Sequence, residues 1–95
     1  MSQAQVIGRI TVLDERLWAE YRSRVGQTLL PWQGEMLMRG TRADRLSGHE
    51  SHEDVVVIGF PDLVAARGWF ASAQYQALIA LRQRAADVVL SIYEA

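Results

Sequence analysis

Apolar and polar residues alternate near the start of the chain. Val6, Ile10 and Val12 lie at even spacings, and Arg9 and Thr11 lie between them. Because successive side chains of a strand point to opposite faces, this period of two predicts a strand over residues 6–12.

A helical period replaces the alternation directly after this strand. Asp14 is a favourable N-cap, since its carboxylate can accept from the free amides of a first helical turn. Apolar residues then recur three or four positions apart, as on one side of a helix: Leu17, Trp18, Tyr21 and Val25. We expect Gly26 to end this helix. Residues 27–33 should then form a connector, because the proline at position 31 disfavours helix at the residue before it.

Two more strands are predicted in the middle of the chain. The second strand spans residues 35–39, and Gly40 either ends it or introduces a bulge. Residues 41–54 are charged and then rich in turn formers, so we expect an extended arm followed by a polar turn. Residues 55–60, with the sequence VVVIGF, form the most strand-like segment of the chain.

The remaining residues predict a helical region with a break and then a last strand. Asp62 is placed to cap a helix, and Ser72 is suited to a fresh N-cap, so the helical region should break there. Residues 63–70 carry apolar side chains at helical spacing, and a second helical piece follows over residues 73–86. One stripe of that second piece holds Tyr75, Leu78, Ile79, Arg82 and Ala86. Residues 88–93 close the chain as a strand.

The predicted order β-α-β-β-α-β is typical of the ferredoxin-like α+β fold, a four-stranded antiparallel sheet with both helices on one face. Residues 55–58 and 88–92 are apolar at nearly every position, whereas a sheet with one solvated face should alternate. The face without helices therefore needs a cover, and the simplest cover is a second copy of the chain. We predict a single domain over residues 1–95 that forms a homodimer through its sheet face.

Composition changes this picture mainly by exclusion. The 95 residues carry a formal net charge of -1 and no cysteine, which excludes a disulfide framework and thiolate chemistry. The balanced charge predicts no nucleic-acid partner. No apolar run approaches the roughly 20 residues that span a bilayer, and the N-terminus lacks a signal-peptide pattern, so we expect a cytoplasmic protein with no membrane partner. Glycine-rich phosphate loops are absent, and no cofactor is assigned.

Several short segments follow one another in a recognisable order. DERLWAEYR covers residues 14–22, and Pro31, Gly34 and the MRG of residues 38–40 come after it. VVIGFP covers residues 56–61, and AA, WF, S, YQ and LR follow between positions 65 and 82. Together these segments resemble the small domain-of-unknown-function family 1330 over nearly the whole chain.

The resemblance implies membership of the dimeric α/β-barrel superfamily, which agrees with the predicted fold and dimer. It implies little about chemistry, because that superfamily contains cofactor-free oxygenases, haem-degrading enzymes, isomerases, dehydratases and ligand-binding regulators. Ala73 departs from the family, in which a proline often follows the serine that starts this helix. The two histidines between positions 48 and 54 are not expected from the family either.

Arg39 and Arg82 are the first candidates for chemistry, and both positions match the family. Arg39 lies at a predicted strand end, and Arg82 shares a helical stripe with apolar residues. An arginine directed toward a core must find an anion or several carbonyls. The functional hypothesis is a clamp for a substrate carboxylate or enolate, and the structural alternative is an internal ion pair with Glu35 or Asp87.

Tyr21, Trp69 and Tyr75 form the second group of candidates. If both helices pack on one sheet face, these side chains could line a shared cleft for a small apolar or aromatic ligand. The structural alternative is ordinary core packing with each hydroxyl bonded to the backbone.

His49 and His52 have donor chemistry that suits a metal, but they lie in a polar loop, and no metal site is assigned. A milder alternative places one histidine at a cleft mouth as a general base.

Three hypotheses follow for the function of the protein. The first is an enzyme without cofactor, of isomerase or oxygenase type, that acts on a small acidic or aromatic molecule. Its ligand-pocket candidates are Tyr21, Arg39, Trp69, Tyr75 and Arg82, and no residue is assigned as catalytic. The second is a non-catalytic dimer that binds a small molecule. The third is a structural dimer, in which the three aromatic side chains close tightly and leave no ligand-sized cavity. The sequence does not decide whether the chain is an enzyme.

Overall fold

Four antiparallel strands form one sheet in the computed structural model, which describes residues 3–95. The strands are β1 (Ala4–Val12), β2 (Glu35–Thr41), β3 (Asp54–Phe60) and β4 (Ala86–Glu94). Their order across the sheet is β2-β3-β1-β4, and every neighbouring pair is antiparallel. The helices, which lie on one face, are α1 (Glu15–Leu29), α2 (Leu63–Ala71), α3 (Ala73–Gln76) and α4 (Ile79–Ala85). The predicted ferredoxin-like arrangement is confirmed.

Side-chain caps begin three of the helices at the predicted residues. Asp14 accepts a hydrogen bond from the Leu17 amide at 3.0 Å, and Asp62 accepts one from the Ala65 amide at 2.8 Å. Ser72 adopts an extended conformation and accepts from the Tyr75 amide at 3.2 Å. Each cap satisfies an amide that the first helical turn leaves free. The predicted break at Ser72 is therefore confirmed.

The expected end of α1 at Gly26 is wrong, and so is the connector over residues 27–33. The helix continues to Leu29, and a 3-10 turn follows over Leu30–Trp32. Glycine costs a helix about 1 kcal/mol relative to alanine, whereas burial of Thr28 and Leu29 favours one more turn. Likewise the second helical piece does not run unbroken over residues 73–86, because a turn at residues 77–78 separates α3 from α4.

The core lies between the helices and the inner face of the sheet. Every second residue of β1 and β3 points to it, including Val6, Ile10, Val56 and Ile58. Trp69 and Tyr75 from the helical layer are 1% and 0% exposed. Ser72, the single residue between α2 and α3, makes the turn that brings both aromatic rings onto the sheet.

The outer face of the sheet, opposite the helices, carries no helix and is apolar over much of its area, although Arg9 and Thr11 on it bond to the loop over residues 42–53. Its half-buried residues include Ile7 and Val57. Four large apolar side chains on this face are exposed by 49%, 50%, 46% and 49%: Leu37, Met38, Val89 and Tyr93. The prediction that the strands are apolar on both faces is confirmed, since these residues alternate with the buried positions of the same strands.

A β-bulge in β2 sets the direction of the Arg39 side chain. Met36 pairs with Ile58 and Met38 pairs with Val57, which leaves Leu37 as the extra residue. Because side chains alternate along a strand, one inserted residue exchanges the faces of everything that follows. Arg39 consequently lies opposite Val56, on the helix side, where regular pairing would place it on the outer face. Both alternatives predicted for Gly40 are wrong: it introduces no bulge, since it pairs regularly with Val55, and it does not end β2, which continues to Thr41.

Candidate functional site

A pair of buried tyrosines joins α1 to α3 beneath the helical layer. The hydroxyl oxygens of Tyr21 and Tyr75 are 2.9 Å apart. Arg82, half-buried on α4, donates from Nη1 to the Tyr75 hydroxyl at 2.8 Å. Three of the five candidate residues therefore form one hydrogen-bonded chain. Tyr21 and Tyr75 bond to each other and not to the backbone, so this part of the structural alternative is wrong.

Trp69 forms a fixed wall beside this chain. Its ring centroid lies 4.3 Å from that of Tyr75, and its indole N–H donates to the Thr28 hydroxyl at 2.9 Å. Thr28 in turn donates to the carbonyl oxygen of Val25 at 2.6 Å. The indole N–H has its partner within the protein, so Trp69 offers an apolar surface and no free donor.

Two connected spaces lie between α1 and the sheet. The outer cleft, of about 210 Å³, is bounded by Trp18, Arg22, Arg39, Thr41, Asp54 and Val56. The inner cavity is lined by Trp18, Tyr21, Arg39 and Trp69 together with apolar residues of all four strands, and has about 20 Å³ of free volume. Such a volume accommodates roughly one water molecule. Trp18 and Arg39 line both spaces, so Arg39 stands where the outer cleft meets the inner cavity.

The charges around the tyrosine pair are positive. Burial and the neighbouring Tyr75 raise the pKa of Tyr21 above its ordinary value, while Arg82 and Arg39 act in the opposite direction. Partial desolvation lowers the pKa of Arg39, and so does the nearby positive charge of Arg22. Tyr21 therefore keeps its proton at neutral pH, next to two guanidinium groups.

Neither Arg39 nor Arg82 forms an ion pair with a carboxylate among residues 3–95. The ion pairs of this part of the chain join Arg9 to Glu50 at 3.1 Å and Arg24 to Glu20 at 3.7 Å. The expected alternative of an internal pair with Glu35 or Asp87 is therefore wrong. Asp54 lines the outer cleft too, but it accepts a hydrogen bond from Thr41 and forms no ion pair with Arg39. The Arg39 guanidinium therefore remains able to bind an anion from outside the chain.

The two histidines do not join this site. His52 bonds through Nδ1 to the Thr11 hydroxyl at 2.8 Å, and Thr11 lies on the outer face of β1. His49 is exposed in the same loop. The hypothesis that His52 serves a cleft mouth as general base is therefore wrong for the cleft on the helix side. Within residues 3–95, no group of His, Cys, Asp and Glu side chains could hold a metal ion.

The structure adds Trp18, Arg22 and Thr41 to the predicted candidates. Trp18 belongs to the apolar side of α1, and Arg22 belongs to its polar side. The spacing of four residues between them is the sequence signal that places both at one end of the same helical surface. Thr41 follows Arg39 by two positions, so after the bulge both point to the same face.

Comparison with known proteins agrees with the fold. Residues 3–95 match the family described as Domain of unknown function (DUF1330). The chain belongs to the DUF1330 family. No curated protein matches it significantly. In the part of the chain that the structure describes, no helix has the length and apolar character needed to cross a membrane.

Three solved structures illustrate what this DUF1330 chain resembles. A protein of unknown function from Rhodopseudomonas palustris has 17% identity and a TM-score of 0.80, over 99% of this chain and 82% of its own. A dimeric ferredoxin-like protein of unknown function from Jannaschia sp. has 12% identity and a TM-score of 0.76, over 98% and 99%. SnoaB, a cofactor-independent oxygenase from Streptomyces nogalater, has 12% identity and a TM-score of 0.73, over 100% and 94%. At these identities the likeness concerns the fold alone.

Proposed function

We propose that this DUF1330 chain binds a small acidic or aromatic molecule between α1 and the sheet and acts on it without a cofactor. The observation that carries the proposal is the chain of Arg82, Tyr75 and Tyr21 next to Arg39, with no protein carboxylate paired to either arginine. Such a site is complementary to an oxyanion, since it combines positive charge with a neutral donor and apolar walls.

The two spaces suggest how the ligand lies. The inner cavity holds about one water molecule, so only the ligand's oxygen would reach Tyr21. The body of the ligand would remain in the outer cleft of about 210 Å³, against Trp18 and below Arg22. Arg39, at the junction, would contact the oxyanion from the side. An enolate held in this way would be stabilised, which is the requirement of an isomerase or a cofactor-free oxygenase.

A cofactor-independent oxygenase has a similar fold, which supports the proposal that this fold can host such a reaction. A non-catalytic binding protein or a structural dimer is the second candidate. The small free volume beside Tyr21, Trp69 and Tyr75 favours it, because tightly closed aromatic side chains are what a structural role predicts. Binding and turnover therefore have to be measured separately.

We also propose that two copies associate through the outer face of the sheet. Exposed apolar side chains on that face, such as Leu37, Met38 and Val89, would otherwise remain in water. Contiguous apolar surface of this kind is typical of obligate dimers. The structurally similar protein from Jannaschia sp. is described as dimeric, which supports self-association of this fold.

The site is tested by titrating benzoate, a small aromatic acid, into the protein and following tryptophan fluorescence. Trp18 and Trp69 line the inner cavity, so occupation should change their emission. Arg39→Gln should weaken binding by about tenfold or more, since a charge-assisted hydrogen bond contributes roughly 1.5–3 kcal/mol. Arg24→Gln is the matched control, because Arg24 lies on α1 and pairs with Glu20 away from the cleft. Absence of benzoate binding, or equal loss in both variants, would contradict the proposed site.

Turnover is tested with phenylpyruvate, whose keto and enol forms differ in ultraviolet absorption. Acceleration of their interconversion that Arg39→Gln removes would support an isomerase, and oxygen uptake in an electrode would support an oxygenase. Benzoate binding with neither activity would favour the non-catalytic binding protein.

A further inference from the structure

The contacts of Tyr75 fix the direction of one of its hydrogen bonds, whereas either hydroxyl can donate in its bond with Tyr21. Arginine side chains only donate, so the bond from Arg82 at 2.8 Å uses Tyr75 Oη as an acceptor. The remaining partner of Tyr75 Oη is the Tyr21 hydroxyl at 2.9 Å. An oxygen that already accepts from a guanidinium becomes a better donor and a poorer acceptor, since hydrogen bonds in a chain polarise one another.

We propose that Arg82 is a positioning residue that aims the Tyr21 proton at the ligand by acting through Tyr75. Arg82 donates to Tyr75, Tyr75 donates to Tyr21, and the Tyr21 proton is left for an acceptor in the inner cavity. This inference rests on the proposed function, because it assigns separate roles within the same site. Arg39 contacts the ligand, Tyr21 donates to it, and Arg82 does not touch it.

Burial makes this direction consequential. Tyr75 is 0% and Tyr21 is 7% exposed, so bulk water does not readily supply an alternative partner to either hydroxyl. Without Arg82 the two hydroxyls could reverse, with Tyr21 donating to the Tyr75 oxygen. The Tyr21 oxygen would then face the cavity with its lone pairs, and an anionic ligand would be repelled.

The direction also defines the ligand class. The cavity end presents a donor, so the ligand atom that reaches Tyr21 must accept a hydrogen bond, and the neighbouring guanidinium groups favour an anionic acceptor such as a carboxylate, enolate or phenolate oxygen. Benzoate should therefore bind and benzamidine, a cation of similar shape, should not.

A double-mutant cycle distinguishes a relay from direct contact. Arg82→Met should weaken benzoate binding by about tenfold in the protein that retains Tyr75, because it removes both a positive charge and the bond that orients the two hydroxyls. In the Tyr75→Phe background, Arg82→Met should reduce the affinity for benzoate by a factor at least roughly threefold smaller, because the hydrogen bond that orients the Tyr21 hydroxyl is already lost. Equal losses in both backgrounds would show that Arg82 acts on the ligand directly and would overturn the inference. Arg82→Lys, which keeps a charged donor, should restore most of the affinity.

A measurement without ligand separates this inference from the proposed function. With ¹³Cζ-labelled tyrosine, Arg82→Met should move the Tyr21 resonance when Tyr75 is present and leave it nearly unchanged in the Tyr75→Phe background. A Tyr21 shift that is the same in both backgrounds would overturn the relay. If wild-type protein fails to bind benzoate while this spectroscopic coupling is present, the relay stands and the proposed ligand class is wrong. Well-dispersed amide spectra confirm that each variant is folded.

Discussion

Arginine side chains on the two sides of the sheet differ in whether the chain supplies an acceptor for them. On the outer face Arg9 pairs with Glu50 at 3.1 Å, and Arg42 and Arg45 donate to the Glu50 carbonyl oxygen at 2.9 Å each. On the inner face Arg39 has no carboxylate partner among residues 3–95, and in the helical layer above it Arg82 of α4 bonds to a phenol in place of an anion. Where the chain supplies the acceptor, the arginine fastens the loop over residues 42–53. Where it does not, the guanidinium remains available to a ligand.

The largest expected effect concerns the packing of the inner face. Trp69→Ala should lower the free energy of unfolding by about 3–5 kcal/mol, because Trp69 is 1% exposed and packs on Tyr75 and Phe60. Tyr93→Ala, on the outer face, should cost far less at concentrations where the protein is monomeric. Urea unfolding of both variants measures the difference, and equal losses would contradict the assignment of the core to the helix side.

The outer face should show its importance in assembly instead of folding. Val57→Asp places a charge at the centre of the exposed apolar strands and should raise the dimer dissociation constant by about 100-fold or more. Val64→Asp is the matched control, since Val64 is 75% exposed on α2. Sedimentation velocity measures the dimer fraction. Dimers that survive Val57→Asp and dissociate with Val64→Asp would place the interface on the helices.

A direct comparison of arginines on the two faces comes next. Arg39→Gln should abolish most benzoate binding with little change in stability, because its guanidinium has no protein carboxylate to lose. Arg9→Gln should leave binding unchanged and cost about 0–1 kcal/mol, as expected for a half-exposed ion pair. Binding isotherms and thermal unfolding of both variants test this difference. Loss of binding in Arg9→Gln but not in Arg39→Gln would contradict it.

The smallest effect is a local pH dependence of the loop. The amide of His52 donates to the Glu50 carboxylate at 3.1 Å, and this bond lowers the pKa of Glu50, with Arg9 contributing in the same direction. A lowered pKa in the folded state means that the stabilisation is present above the ordinary value of 4.5 and is lost as pH falls through the folded pKa. The protection factor of the His52 amide, its exchange rate corrected for the intrinsic pH dependence, should therefore fall in acid. In Glu50→Gln the protection factor should lack this pH-dependent step.

Much of the fold follows from short-range signals in the sequence. The caps Asp14, Asp62 and Ser72 begin helices where their side chains can accept from free amides, so no distant contact is needed to place them. The candidate site is less predictable. Helical spacing was enough to name Tyr21, Tyr75 and Arg82 as candidates. Their hydrogen bonds to one another depend on how α1, α3 and α4 pack.

The sequence by itself determined the order of elements and the apolar character of both sheet faces, because these depend on periodicity within segments of about five to fifteen residues. The family followed from the resemblance of short motifs along the chain. Only the tertiary structure decided that α1 continues past Gly26 and that the bulge lies at Leu37. Both are outcomes of packing: burial of the last helical turn outweighs the cost of one glycine, and a shift of one residue in strand pairing changes the face of every later side chain. That shift is what directs Arg39 into the cleft with Tyr21.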